Sequence, residues 1–265
     1  MARTRQTTES TADAPEPLGA SSRAGYFDLS RGPWHSLLFV LPLVVLFELG
    51  SMLYLSELHS TVSAFRLIGR FYSALGAYGI HLPALALVTV LLIQHAMSHQ
   101  SWRIRWVVPA AMSVESAMWT APLLVFALLL GPEVAAQVTE ADPSPTASLQ
   151  DWPWQARMTV AIGAGLYEEL LFRMLLIAIV HMIATDLLRL SSGVGAMLAL
   201  AVSAIAFAFY HDVWTETGGL DLGLISFFAL SGVYFAGIYL ARGFGIAVGL
   251  HVLYDVVALL IIGRV

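Results

Sequence analysis

Three short stretches of this 265-residue chain carry side chains that can do chemistry, and all three lie in its second half. "EELLFR" sets Glu168 beside Glu169, with Arg173 four residues after the second; "FAFYH" ends on His211; "HVLYD" runs from His251 to Asp255. Residues four apart share one face of a helix, so Glu169 meets Arg173 and His251 meets Asp255. Glu168 is turned about 100° away from its neighbour and is not served by that ion pair in the same way. One glutamate reads as structural and the other as available. Acids and imidazoles of this kind clamp helices as a buried ion cluster, relay protons, or work on a substrate.

The elements that must position them are set by composition. With 58% hydrophobic and 12% charged residues and a mean hydropathy of +0.77, the chain is too apolar for a soluble globule. It reads as an all-α polytopic membrane protein. A helix needs about 20 apolar residues to cross a bilayer, and runs of that kind predict seven spans near 37–56, 82–98, 107–130, 157–180, 193–211, 223–241 and 244–262. Residues 1–35 read as a disordered tail without the apolar run of a signal peptide. Residues 36–130 then form an N-terminal transmembrane buttress, 131–154 an acidic, proline-containing loop, and 155–265 a catalytic core of four helices. The segment around Arg66 and Arg70 suits an interfacial helix or a poorer extra span.

Inside such spans an ionised acid costs about 2.5–3.5 kcal/mol on insertion scales. The Glu169–Arg173 pair offsets part of that cost. Glu168, His211, His251 and Asp255, on the fourth, fifth and seventh of these spans, are harder to explain as helix packing alone.

In that order along the last four predicted helices, the three stretches resemble the motifs of the CPBP intramembrane proteases, the CAAX-prenyl protease 2 or Abi type. The family pattern is a Glu pair with Arg four after the second, a Phe separated by three residues from a His, and a His followed at four by Asn or Asp. Glu168, Glu169, Arg173, Phe207, His211, His251 and Asp255 fill these positions, over roughly residues 155 to 262. Met174 stands where many members have Gly, and Asp255 where many have Asn. The latter touches the chemistry, because Asn can donate a hydrogen bond to an oxyanion and an ionised Asp cannot.

What the resemblance implies is an endopeptidase. Glu168 with His211 would hold and deprotonate a water, His251 with Asp255 would face the developing negative charge, Glu169 and Arg173 would be a structural ion pair, and Phe207 a packing residue. No cofactor is needed for that mechanism. The alternative is a zinc site made by Glu168, His211 and His251, with Asp255 as a further ligand or second partner, although the HExxH of zincins is absent. The partners implied are the lipid bilayer and a peptide or protein substrate, lipidated or membrane-bound.

Other classes are narrowed by what the chain lacks. It contains no cysteine and no lysine, so disulfides, thiol nucleophiles and a basic nucleic-acid patch are excluded. Neither GxSG nor GxGD occurs. A proton- or ion-coupled transporter is the non-enzyme alternative, and a catalytically silent scaffold the third. Eight arginines, at 3, 5, 23, 31, 103, 105, 189 and 242, fall on one side of the seven-span arrangement, which predicts an N-terminus in the cytoplasm of a cell-membrane protein. Arg66, Arg70, Arg157 and Arg264 fall on the other. Glu48 and Glu115 are expected to be structural, His95, His99 and His181 interfacial, and Trp102, Trp106, Trp152 and Trp154 part of an aromatic belt.

Overall fold

The computed structural model describes residues 25–55, 63–74, 81–130, 152–215 and 217–260. Most of the predicted tail, residues 131–151 of the acidic loop and the last residues of the final predicted span lie outside them. The described residues are helical apart from short connections and one isolated antiparallel bridge, Trp214 with Leu220. In chain order the helices are α1 (Tyr26–Arg31), α2 (Pro33–Leu55), α3 (Ser63–Ala74), α4 (Leu82–Ser98), α5 (Val107–Leu129), α6 (Trp154–Leu187), α7 (Ser192–Tyr210), α8 (Leu222–Arg242) and α9 (Phe244–Leu260).

Each predicted span coincides with one of these helices. Five of them, α2, α5, α6, α7 and α8, are long and apolar enough to cross a membrane; α4 and α9, at 17 residues, are shorter. Large apolar side chains point outward along the long helices, Val45 and Leu49 on α2, Met118 and Val125 on α5, Met197 and Ile205 on α7. Apolar surface on that scale suits hydrocarbon rather than water. The chain is an integral membrane protein.

Two expectations need correction. Residues 26–35, assigned to the tail by their composition, are helical: α1 is tied down by Tyr26, and Pro33 opens α2 at a position where its missing N–H costs nothing. The fourth span runs from 154 to 187 rather than 157 to 180, because Asp186 and Arg189 lower the hydropathy at its end without breaking the helix. Within it, Glu169–Leu176 and Ile183–Leu187 are wound as π-helix. The described part of α3, 12 residues and about 18 Å long, is shorter than a span and fits the interfacial alternative. It exposes Leu67 and Phe71 while burying Ile68, as a helix lying in the interface would.

Contacts sort the helix termini into two ends of the bundle. At one end Arg31 donates to the Leu240 carbonyl (3.2 Å) and Trp34 packs on Trp102 (5.0 Å between rings). There too Arg242 grips Glu115 through two hydrogen bonds, 2.5 and 2.9 Å, and reaches Ser30. At the opposite end Arg157 donates to the Leu259 carbonyl (3.0 Å), and Glu48 pairs with His81. We call these the Arg242 end and the His211 end. Glu115, expected to be structural, therefore has an arginine from another helix, together with Tyr26 and Trp119. Burial and then Glu115 push the Tyr26 hydroxyl up to about 12, so it remains a donor at any ordinary pH.

Two aromatic-belt or interfacial assignments fail for the same reason. His95 is buried between Trp34 and Trp102, and Trp152 is buried in the core beside α6. Both lie at helix termini, but neighbouring elements cover them. Trp102, Trp106 and Trp154 are exposed as expected.

α9 sits at the centre. It packs on α6 and α5, and more lightly on α2 and α8. Glycines permit the close approach. A Cβ on Gly165 of α6 would run into the Val252 backbone (2.8 Å from its N), and one on Gly249 would meet Phe39 (2.8 Å) and Ser116. Small residues at these crossings bring α6 and α9 together at the level of the polar motifs.

Candidate active site

Glu168 closes the α-helical first half of α6, and the π-wound turn begins at the next residue. π-turns inside helices are frequent at functional sites because they re-aim side chains. Here both adjacent glutamates point inward: Glu168 is 5% exposed and Glu169 fully buried. Glu169 Oε1 lies 3.2 Å from Arg173 Nη1. The fully buried guanidinium is surrounded by rings, 4.2 Å from the centroid of Phe207 and 5.1 Å from that of Phe235. Cation–π contact of this kind supplies part of what water would have given the charge.

Glu169 also has a second partner that the sequence did not announce. Its Oε1 accepts a hydrogen bond of 2.7 Å from His251 Nδ1 on α9. That bond places the Nδ1 proton and turns Nε2 toward the other acids, 3.8 Å from Glu168 Oε2 and 3.5 Å from Asp255 Oδ2.

His211 comes from α7, whose helix it ends as C-cap with extended backbone. Its Nδ1 donates to the Phe207 carbonyl at 2.9 Å. A carbonyl only accepts, so Nδ1 carries the proton and Nε2 presents a lone pair. Nε2 lies 3.8 Å from Glu168 Oε2. The structure thus brings Glu168, His211, His251 and Asp255 together around one carboxylate, and seats Phe207 between Arg173 and the His211 ring.

These residues form the floor of a cavity of about 70 Å³. Its walls are Val160, Ala161 and Ala164 of α6, Phe227 and Phe228 of α8, Ala258 and Leu259 of α9, and Leu123 of α5. Every wall residue comes from the half of its helix nearer the His211 end. Side-chain exposure falls in the same direction, from 19% at Asp255 and 13% at His211 to 7% at Glu168 and 5% at His251. The cavity is apolar around a polar floor, as small-molecule and peptide sites generally are, and it is roomy enough for water.

α8 contributes side chains that sequence reading passed over. Phe228 stacks on His211 (3.9 Å, 13° between planes) and Phe235 on His251 (4.4 Å, 23°). The signal available was a spacing, Phe228, Ser231 and Phe235 at i, i+3 and i+7 on one face of an apolar span. Nothing in that spacing says which imidazoles the rings will meet.

A zinc ion held by Glu168, His211 and His251 at about 2.0–2.1 Å would set its ligand atoms about 3.3 Å apart. The two Oε2–Nε2 separations are 3.8 Å. Among the described residues, no group of three or more His, Cys, Asp or Glu side chains is arranged to hold a metal ion.

Compared with known proteins, residues 150–257 match the protein-family model described as Rce1-like, type II CAAX prenyl endopeptidase. The matched stretch contains all seven motif residues, and the match supports the CPBP or CAAX-protease family, a family of proteases, for this part of the chain. No curated protein and no solved structure matches the chain.

Proposed function

We propose that the protein is an intramembrane endopeptidase that hydrolyses a peptide bond with a water activated by Glu168 and His211. The observation that carries this reading is the pairing of two acceptors, Glu168 Oε2 and His211 Nε2, 3.8 Å apart on the cavity floor. A water donating one hydrogen to each presents its lone pair to the cavity. In the reaction its oxygen bonds the scissile carbonyl carbon, its proton passes to Glu168, and the C–N bond breaks as Glu168 returns that proton to the leaving amine. His251, oriented by Glu169, faces the oxyanion through Nε2 when it carries its second proton. Glu169 is in this reading a positioning residue as well as the partner of Arg173.

The test is a cleavage assay on the purified protein with a prenylated peptide and an unmodified membrane peptide, each with and without a chelator. Cleavage that survives chelation is the expected result. Asp255→Asn should keep or raise the rate near neutral pH, because an amide N–H donates at any pH. Stoichiometric zinc in the purified protein, with an Asp255→Asn defect that added zinc repairs, would replace this mechanism by the zinc-dependent one. A protein that cleaves neither peptide would favour the ion-coupled transporter.

We further propose that α4 and α9 cross the bilayer with the five longer helices, giving seven crossings of the cell membrane and a cytoplasmic N-terminus. Arg31, Arg103, Arg105, Arg189 and Arg242 gather at the Arg242 end, while the 212–221 connection at the other carries Asp212 and Asp221 and no arginine. The cavity mouth then faces away from the cytoplasm, and the substrate is presented on that side. Because the chain has no cysteine, single-cysteine variants report this cleanly. Thr217→Cys should react with a membrane-impermeant maleimide in intact cells, and Ser101→Cys only after permeabilisation. The reverse pattern turns the protein over.

A further inference from the structure

Hydroxyl groups inside membrane helices usually bond a carbonyl one turn back. Thr120 Oγ1 donates to the Ser116 carbonyl at 2.9 Å, and Ser203 Oγ donates across to the Phe172 carbonyl at 2.9 Å. Ser231 does neither. It is 1% exposed, its Oγ has no hydrogen-bond partner among the described residues, and it lines the cavity that holds Glu168, His211 and His251.

Its position on α8 gives that orphan hydroxyl a direction. Ser231 stands three residues after Phe228 and four before Phe235, on the same helical face. Those two rings lie flat on the two imidazoles, at 3.9 and 4.4 Å. Both imidazoles reach the same Glu168 oxygen. The hydroxyl between the rings therefore faces the middle of the site.

Of the four motif side chains on the cavity floor, only His251 in its doubly protonated form donates toward the reacting carbonyl. Glu168 and Asp255, when ionised, only accept, and His211 presents a lone pair because its Nδ1 proton is committed to Phe207. A tetrahedral intermediate needs hydrogen bonds to its oxyanion. We infer that Ser231 is a further catalytic residue, whose Oγ–H donates to the substrate carbonyl oxygen as it becomes an oxyanion. The inference rests on the endopeptidase reading.

The experiment uses the full-length purified protein and a peptide that the wild type cleaves. Ser231→Ala and Ser231→Cys should each lower kcat by about 10²-fold, with KM and melting temperature unchanged. The cysteine variant fills the serine's space while donating poorly, so it separates hydrogen bonding from packing. Either variant turning over within about threefold of wild type, or losing activity through KM alone, overturns the assignment. A fall in melting temperature that tracks the loss would return Ser231 to a packing role. A wild-type protein that cleaves no peptide removes the endopeptidase reading itself, and the inference with it.

Discussion

Glu168→Gln yields a protein that folds and inserts like the wild type but cleaves its peptide about 10²- to 10⁴-fold more slowly. The substitution keeps the side chain's volume and leaves the Glu169–Arg173 pair untouched, since that pair uses the neighbouring carboxylate. What it removes is the carboxylate oxygen that faces both His211 and His251 at 3.8 Å. Monodispersity in detergent and melting temperature report the fold, and single-turnover cleavage reports the chemistry. Near-normal turnover in this variant would mean that the base is another residue.

Glu169→Ala behaves in the opposite order, with the loss appearing first in folded yield. Arg173 is fully buried, pairs with Glu169 at 3.2 Å and lies against the rings of Phe207 and Phe235. Breaking a buried pair from one side costs about 3–5 kcal/mol, a large fraction of a domain's stability, whereas replacing both partners by apolar residues of similar volume is often neutral. Glu169→Leu combined with Arg173→Met should therefore recover the folded yield that Glu169→Ala loses. It should not recover cleavage, because His251 Nδ1 has lost its acceptor. Fluorescence-detected size exclusion and the cleavage rate, measured on the three variants, separate the two consequences. Wild-type yield from Glu169→Ala would show that Arg173 does not depend on this carboxylate.

How far these groups could be read from sequence follows from the range over which each interaction acts. Glu169 with Arg173 and His251 with Asp255 are contacts at i, i+4, fixed by helix geometry alone, and both are present. The spans were legible because hydrocarbon demands long apolar runs. Helix boundaries were less so: the last turns of α6 contain Asp186 and lie beyond the stretch that hydropathy marks. The hydrogen bond from His251 to Glu169 joins residues 82 apart, and the stacking of Phe228 and Phe235 on the imidazoles depends on where α8 docks. His95 and Trp152 were misplaced because a residue's place at a helix terminus does not say whether another element will cover it. Local rules thus supplied the charged pairs, and only tertiary packing supplied the aromatic walls and the free hydroxyl.

The glycine crossings described for α9 bear on how a peptide gets in. A cavity of about 70 Å³ does not hold an extended strand, which advances about 3.3 Å per residue. On the endopeptidase reading proposed above, admitting such a strand takes a motion that widens the site. α9 cannot supply the motion, since its backbone is approached by Gly165 on one side, while its own Gly249 is pressed against Phe39 and Ser116 on the other. α7 and α8 pack on each other as a pair, with Gly232 tight against Ala204, and are tied to the rest of the bundle by Ser203 on the Phe172 carbonyl and Tyr234 on the Trp119 carbonyl. They connect to their neighbours at the Arg242 end through residues 188–191 and through Gly243, whose φ of 87° only glycine adopts freely. On the endopeptidase reading, a swing of that pair about the Arg242 end would part the bundle at the mouth and lift Phe228 and Phe235 off the two imidazoles.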